Sequence, residues 1–373
     1  MADLKEYKCP ACGGAMEFDT KSQQLKCPYC DTVVDLKEYE TKEKAAAEET
    51  DDKKVDAAPE NESGESWTSA GEGQWNEGEA DDIKVYTCNS CGGEIIADDT
   101  TGATVCPYCG NRVLMQSKFQ GDRKPDYVIP FKFDKKQAKQ AYKDHLKNKT
   151  FLPKVFKSEN HVDEIRGIYV PFWLFDVNAN GNAVYKAEKT RIWTNGNTEY
   201  TEHKYYEVHR GGSMSFECIP EDGSEKMDDT LMESVEPFEF EEAVPFSTAY
   251  LAGYMADRYD VKAEDRIDRA RERVNKSMQE QFRNTVHGYD AVTCSSCNVN
   301  SLDASYKYAL YPVWILNTNW KGEKYVFAMN GQTGKLVGDL PSDKGLFFSY
   351  IGKWGAIYSV IIIIVLFVLN LIL

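Results

Sequence analysis

The sequence predicts a multidomain chain with two small four-cysteine zinc ribbons, an α+β domain with an antiparallel sheet, and one C-terminal transmembrane helix. Three observations lead to this prediction. Eight of the 11 cysteines form four Cys-x-x-Cys pairs with a repeated spacing, and a fifth such pair stands apart at Cys294 and Cys297. A long middle region mixes helical periodicity with strand-like alternation. The last twenty residues are almost wholly apolar. A length of 373 residues allows several folded units, because one domain takes about 100–200 residues.

The cysteine pairs belong to an internal repeat, predicted as one zinc ribbon at residues 7–36 and a second at residues 83–118. Each copy separates its two pairs by 14 residues, and the copies align at an offset of 79. Two such pairs supply four thiolates, which complete a tetrahedral shell around Zn²⁺. We therefore expect two Zn²⁺ per chain, with rubredoxin-type iron as the alternative metal, on eight ligands: Cys9, Cys12, Cys27, Cys30, Cys88, Cys91, Cys106 and Cys109.

These metal sites are expected to be structural. Four thiolates leave no open coordination position for a substrate, and a module of about 30 residues needs a metal to stay folded. Three further cysteines stand outside the repeat. Cys294 and Cys297 are interpreted as a pair of free thiols, and the alternative is a metal half-site completed by Cys218 and His287.

The acidic charge of the chain is concentrated between the ribbons, at residues 37–82. This segment holds 16 Asp or Glu and five Lys, so it contributes −11 of the net charge of −16. Large apolar residues are scarce in it, apart from Trp67 and Trp75. Such a composition cannot bury enough surface to offset chain entropy, and it predicts a disordered, extended linker. The two tryptophans are interpreted as incidental, with a partner-docking motif as the alternative.

Residues 123–343 are predicted to form the α+β domain. Residues 127–133 have the composition of a strand, and Asp134 is expected to cap a helix after it. A second helix, with a solvated, salt-bridged face, is predicted over about residues 263–286. Between the helices, residues 165–218 alternate apolar and polar side chains, which is typical of a meander of antiparallel strands. Its turns are expected at three glycine-containing dipeptides: Asn180-Gly181, Asn195-Gly196 and Gly211-Gly212.

A second and weaker repeat lies inside this domain. Residues 169–176 (YVPFWLFD) are similar to residues 310–317 (LYPVWILN), and each block follows a predicted helix. We interpret the domain as two diverged halves, with Trp173 and Trp314 in equivalent core positions. Chance similarity between two aromatic strands is the alternative interpretation.

Residues 354–373 are predicted to cross the membrane once. Twenty residues at about 1.5 Å each match a hydrocarbon core of about 30 Å, and Asn370 is the one strongly polar side chain among them. The negative mean hydropathy of the whole chain argues against several spans. Lys344 and Lys353 precede the span, so residues 1–353 are expected on the cytoplasmic side of the cell membrane. The N-terminal sequence lacks an apolar signal region, and the chain is predicted to be tail-anchored.

No catalytic constellation is recognisable in the sequence, and the protein is predicted not to be an enzyme. The five histidines are isolated from one another. Residues 331–335 read Gly-Gln-Thr-Gly-Lys, but they lack the spacing of a phosphate-binding loop. A redox function of Cys294 and Cys297 is kept as the enzymatic alternative.

Several blocks of the sequence resemble one known family over most of the chain. They are the two ribbons and the segments IYVPFWLFD, LYPVWILNT, VPFSTAYLAGYMADRYD and FAMNGQTGKLVGDLP. The family is that of bacterial zinc-ribbon proteins (transcription factor IIB-type or rubredoxin-like) with a tail anchor, often labelled as primosomal replication helicase-like. No helicase motor motif occurs in this sequence, so the label is taken to reflect the cysteine-rich part. Family members are encoded in some genomes near phage-shock-type and flotillin-like membrane proteins. The resemblance therefore implies a recruiting role at the membrane, with such proteins as partners.

The sequence thus predicts a non-enzymatic, membrane-anchored zinc-binding adaptor that recruits or scaffolds protein partners at the cytoplasmic membrane face. The ribbons are expected to act as flexible heads on the acidic linker. The alternative function is that of a nucleic-acid-binding zinc-ribbon protein tethered to the membrane. The composition argues against this alternative, because phosphate backbones are bound by basic surfaces. The first ribbon carries only three Lys against four acidic residues.

Overall fold

The computed structural model describes residues 7, 9–14, 16–36, 38, 67–69, 73, 75, 84–88, 92, 94–97, 114–118, 123–158 and 162–372. Most of the predicted linker lies outside the described residues. The same is true of three predicted metal ligands, Cys91, Cys106 and Cys109.

The described residues form a small sheet, a large sheet and four α-helices. The strands, in chain order, are β1 (Glu17–Asp19), β2 (Gln24–Lys26), β3 (Val33–Val34), β4 (Trp67–Ser69), β5 (Lys84–Cys88), β6 (Glu94–Ala97), β7 (Leu114–Lys118), β8 (Tyr127–Val128), β9 (Arg166–Asn195), β10 (Thr198–Asp222), β11 (Val244–Pro245), β12 (Met255–Asp257), β13 (Ala291–Trp320), β14 (Glu323–Asn330) and β15 (Leu336–Gly338). The helices are α1 (Lys135–Leu146), α2 (Asp229–Val235), α3 (Ala263–Asn284) and α4 (Lys344–Ile372).

Three long strands form the centre of the large sheet. β9 and β13 have 30 residues each and β10 has 25, whereas a typical strand has about 5–6. Among these three, β9 is the middle strand and runs antiparallel to β10 and β13. Its first part, residues 168–175, is buried on both faces, and exposure then increases toward the turn at Gly196. The antiparallel sheet predicted for this domain is therefore confirmed.

Two of the three predicted turns are wrong. Gly181 and Gly212 lie opposite one another in the ladder between β9 and β10, and the chain turns only at the third site, Asn195-Gly196. A Cβ on Gly181 would lie 2.8 Å from the carbonyl oxygen of Asn298 and 3.3 Å from two side chains of α3. Glycine at this position permits close packing against β13 and α3, rather than a change of chain direction.

Both predicted helices of the domain are present. The Asp134 carboxylate accepts the Gln137 N–H, and the Gln137 side chain bonds back to the Asp134 N–H, which together form a capping box. The second helix, α3, packs an apolar stripe on the sheet: Ala270, Val274, Met278 and Phe282. The strand predicted at residues 127–133 is shorter, Tyr127–Val128. Pro130 lies just beyond it and has no N–H to donate to a ladder.

The two similar aromatic blocks of the sequence lie side by side in β9 and β13. Val170 is paired with Tyr311 in antiparallel register. The short strands β8 and β12 add in parallel to β13 and β9, respectively. Two buried indole N–H groups donate to backbone carbonyls: Trp173 to Val261 at 2.9 Å, and Trp314 to Phe133 at 3.0 Å. Each tryptophan thereby holds the segment that leads into a helix.

The helix α4 contacts the rest of the protein near its start. The rings of Phe347 and Tyr350 lie 5.3 and 5.4 Å from the ring of Phe151. Residues Lys344–Val365 are long and apolar enough to cross a membrane, and their apolar window is not buried in the protein. A helix of 29 residues is about 43 Å long, which exceeds a hydrocarbon core of about 30 Å. These features agree with a single-pass membrane protein.

Candidate metal centre

The first cysteine module is a small three-stranded sheet. β1 pairs with β2 and β2 with β3, both in antiparallel register, so that Phe18 lies opposite Leu25. Met16, Phe18 and Leu25 are buried in one apolar cluster with Cys9 and Cys27. Strands of two or three residues are too short to be stable alone. The module therefore depends on its cysteine cluster and on contacts with the rest of the protein.

Both cysteine turns of this module close through backbone hydrogen bonds. In the first turn, the Gly13 N–H donates to the Cys9 carbonyl at 2.8 Å, and Gly13 has a φ of +73°. In the second turn, Asp31 takes the equivalent place, donates to the Cys27 carbonyl at 3.0 Å and has a φ of +58°. Asp is among the few residues other than Gly that adopt this left-handed conformation. An aspartate directly after the second Cys-x-x-Cys is therefore a sequence signal for this turn, and it was not used in the prediction from the sequence.

The four cysteine sulfurs of the first module converge on one point. All four lie within 4.8 Å of one another, and the Cys9 and Cys30 sulfurs are 3.4 Å apart. In a tetrahedron with Zn–S bonds of about 2.3 Å, the sulfurs are about 3.8 Å apart. Cys9 and Cys27 are buried, while Cys12 and Cys30 are exposed. The donor set and its spacing fit a closed tetrahedral metal site.

The pKa values of two of these thiols are shifted in opposite directions by their surroundings. Burial raises the pKa of Cys9, but hydrogen bonds from the backbone N–H groups of Ala11 and Cys12 contribute to a net lowering, to about 6. The Gly14 N–H lowers the pKa of Cys12, whereas the neighbouring cysteine sulfurs raise it to about 12. Four thiolates this close repel one another in the absence of a cation. A divalent metal ion would remove that repulsion.

The first module packs against the α+β body and is not a flexible head. The Phe18 ring lies 5.1 Å from the ring of Tyr250, and the Phe18 N–H donates to the Ala252 carbonyl at 3.1 Å. The hydroxyl of Tyr7 hydrogen-bonds with that of Thr248. These contacts join the core of the module to the core of the body. The expectation of a mobile first ribbon is therefore wrong.

The described strands of the second cysteine module belong to the large sheet. β5 pairs with β6 and β7, and β6 pairs with β12 through Ala256 opposite Ile96. The carboxylate of Glu94 lies 2.8 Å from the guanidinium of Arg258. Gly92 repeats the turn seen after Cys12, with φ +71° and its N–H donating to the Cys88 carbonyl. Because the other three ligands lie outside the described residues, the second metal site stays a prediction.

Two points of the predicted acidic linker are attached to the body. Trp67 begins β4, which pairs in parallel with β13 at Ala304–Tyr306, and its ring meets that of Phe175 edge-on at 5.5 Å. The ring of Trp75 meets that of Phe246 at 5.9 Å. The disordered-linker prediction is therefore corrected at these residues. The tryptophans are not incidental, because they dock on the chain's own body.

The three cysteines outside the repeat are not gathered into a site. Cys294 and Cys297 lie on β13, where Cys294 pairs with Tyr185 of β9. Cys218 lies farther along the sheet, and its N–H donates to the Asp176 carboxylate at 2.8 Å. Burial raises the pKa of Cys218 to about 11. Among the described residues, none of the three belongs to a cluster of side chains that could hold a metal, so the half-site with Cys218 and His287 finds no support.

A buried charge cluster joins β10 to α3, and the sequence did not indicate it. Glu221 and Asp222 are 2 % and 4 % exposed. Arg266 donates to Asp222 at 3.1 Å, and Arg269 donates to Glu221 at 3.1 Å. Burial raises the pKa of Asp222 to about 7, against the opposing effect of the arginine. The basic residues that were assigned to a solvated face of α3 therefore pair in part with buried carboxylates.

Comparison with known proteins identifies a relative that matches along most of the chain. The chain is 32 % identical over 339 residues to YdjG of Bacillus subtilis (strain 168), and the match covers 91 % of each protein. That relative is described as an uncharacterized protein. No protein-family model and no solved structure matches the chain. At this identity and coverage, the chain belongs to the same family as YdjG.

Proposed function

We propose that this member of the YdjG family is a non-enzymatic, membrane-anchored zinc-binding adaptor that recruits or scaffolds protein partners at the cytoplasmic membrane face. The observation that carries the proposal is the closed four-cysteine cluster packed on a body that also carries an apolar helix. Four thiolate ligands complete the shell of Zn²⁺, so the metal stabilises a fold and offers no position to a substrate.

The proposed zinc content is two ions per chain, one in each cysteine module. In the first module the ligands are Cys9, Cys12, Cys27 and Cys30, whose sulfurs have the required proximity. The second site is proposed from the sequence repeat and from the turn at Gly92, which has the same hydrogen bond as the turn at Gly13. Zn²⁺ holds such sites without redox chemistry, which suits a structural role.

The body is further proposed to be a duplicated strand–helix–hairpin unit. β8 and β12 begin 128 residues apart, as do α1 and α3 (255 − 127 and 263 − 135). The carbonyl acceptors of the two buried indoles, Phe133 and Val261, are also 128 residues apart. The common spacing of the strands, the helices and the two carbonyl acceptors supports a duplication more than a chance similarity of two aromatic strands. A symmetric body would give the adaptor two related surfaces.

The test is purification of the full-length chain from native membranes after crosslinking, followed by metal analysis and identification of partners. We expect two zinc ions per chain and a reproducible set of protein partners. The variant Cys27→Ser with Cys30→Ser should lose one zinc ion and at least part of that set. The matched control is Cys294→Ser with Cys297→Ser, which changes a Cys-x-x-Cys outside both modules and should retain both.

Two results would overturn the proposal. One is a chain that carries no zinc, or that keeps the same partners in both cysteine variants. The other is tight, salt-sensitive binding of nucleic acid by the purified chain, which would favour a nucleic-acid-binding role.

A further inference from the structure

One short part of the body, residues 248–258, contacts both cysteine modules, and we call it the bridging segment. Its first half meets the first module at Tyr250 and Ala252. Its second half contains β12, which pairs with β6 of the second module. We propose that metal loading of the first module holds the bridging segment in place, and through it the second module. This inference rests on the metal-binding function proposed above and adds a regulation to it.

The first step links the metal to the position of Phe18. Phe18 lies between the two cysteine pairs in the chain and is 4 % exposed in the small core of the module. Cys27, itself a ligand, is buried in the same core. Small cysteine modules unfold when the metal is removed, because strands of this length cannot hold the fold. Loss of the metal would therefore withdraw the Phe18 ring from the body.

The second step links Phe18 to the bridging segment. The Phe18 ring contacts the ring of Tyr250, and the Phe18 N–H donates to the Ala252 carbonyl. Immediately afterwards, Gly253 has a φ of +85°, and a Cβ there would touch Glu17 at 3.4 Å. The chain therefore adopts a conformation that favours glycine at a point where it lies in van der Waals contact with β1. The first module thus acts as the support for residues 248–253.

The third step links the bridging segment to the second module. Only Gly253 and Tyr254 separate the residues held by Phe18 from β12. β12 is three residues long and makes two residue pairs with β6 and two with β9. A ladder this short gains little stability alone, so it depends on how the chain before it is held. The ring of Tyr254 stacks on Phe131 at 4.2 Å, which limits the freedom of the connection.

The experiment is hydrogen exchange by mass spectrometry on the full-length chain in detergent, read at residues 94–97 and 255–257. Cys27→Ser with Cys30→Ser removes metal from the first module. Tyr250→Ala leaves all eight predicted ligands intact but removes the ring contact, and Tyr250→Leu removes the aromatic ring with a smaller loss of volume. The matched control is Tyr325→Ala, since Tyr325 packs on Phe156 away from both modules.

We expect exchange at residues 94–97 to be about tenfold faster in the cysteine variant and in the Tyr250 variants, a size typical of coupling between sites. The Tyr325→Ala control should leave it unchanged, and residues 313–316 of β13 should stay protected throughout. The inference is overturned if residues 94–97 keep their protection while residues 17–26 exchange freely. That result would show that the first module can unfold without any effect on the second.

This design separates the inference from the function on which it rests. If the purified chain holds no zinc, the proposed function fails, and the Tyr250 variants still report on the contact between the modules. If zinc is present and residues 94–97 do not respond, only the coupling is wrong. If a Tyr250→Ala chain loses protection at residues 313–316 as well, Tyr250→Leu decides the outcome.

Discussion

The two cysteine modules share a first turn but join the body in different ways. The first closes a small sheet of its own and meets the body mainly through side chains, chiefly Phe18 on Tyr250, with one backbone hydrogen bond from Phe18 to Ala252. The second gives β6 to the large sheet, where Ile95 and Ile96 pair with β12. A repeated motif therefore encodes the turn that presents the thiols, whereas residues outside the motif decide how each module is attached.

The largest expected effect comes from removing the metal ligands of the first module. Cys9→Ser with Cys12→Ser should unfold residues 16–36 and reduce the zinc content from two ions to one. Structural zinc contributes on the order of 10 kcal/mol to the folding of such modules. Metal analysis combined with limited trypsin digestion at Lys21 and Lys26 checks this. Retention of both zinc ions, or resistance of these lysines to trypsin, would contradict the expectation.

A second pair of variants compares the two modes of attachment directly. Ile95→Ala should lower the unfolding free energy of the body by about 2–5 kcal/mol, because Ile95 is fully buried in the large-sheet core. Phe18→Ala removes a similarly buried side chain, but its effect should be concentrated in the first module, the bridging segment and residues 94–97, and β13 should keep its protection. Denaturant unfolding, followed by hydrogen exchange in β13, measures the difference. Val33→Ala, at an exposed position of the first module, is the control and should have little effect.

Equal losses of body stability in Ile95→Ala and Phe18→Ala would remove the distinction between the modules. Such a result would show that the body depends as much on the docked first module as on the second module, which shares its sheet.

Ion pairs at the two attachments should matter much less. Glu94→Gln breaks the 2.8 Å pair with Arg258, whose side chains are 41 % and 28 % exposed, and should cost less than about 1 kcal/mol. Lys21→Gln breaks a longer, more exposed pair with Asp134 and should have no measurable effect. Thermal unfolding at low and high salt tests both. A large loss in either variant would mean that charge, rather than packing, attaches that module.

The cysteines outside both modules should matter least for stability. Their thiols can instead be compared with one another by their rates of alkylation. Because burial raises the pKa of Cys218 to about 11, its reactive thiolate is scarce at pH 8 and should increase about tenfold per pH unit up to that value. Cys294 is exposed and should be alkylated faster at pH 8. Mass spectrometry after iodoacetamide treatment at several pH values measures both rates. Comparable rates at pH 8 would contradict the raised pKa that partial burial gives Cys218.

Elements with strong local signals could be predicted from the sequence. The cap at Asp134, the apolar stripe of α3 and the long apolar helix α4 are all present. The first cysteine cluster was also predicted, since its spacing alone brings the sulfurs together. Each of these features depends on residues close together in the chain. The second cluster and the membrane orientation stay predictions.

Features that depend on distant residues could not be predicted. Gly181 and Gly212 resemble turn residues, but their role follows from the helix that packs over them. Trp67 stands in an acidic segment, yet it finds a strand partner at Ala304 and an aromatic partner at Phe175. Composition measures the average tendency of a segment to fold and carries no information on a surface elsewhere that can receive it.

The sequence by itself determined the local chemistry of this protein: the thiols that can surround a metal, the capped helix and the apolar segment long enough to cross a membrane. Residues close together in the chain are sufficient for each, because backbone geometry then places the side chains. Only the tertiary structure decided that the first cysteine module is part of the body rather than a mobile head, and that the described strands of the second belong to the large sheet. Docking requires complementary surfaces from residues more than two hundred positions apart, such as Phe18 and Tyr250, and chain folding alone brings these together.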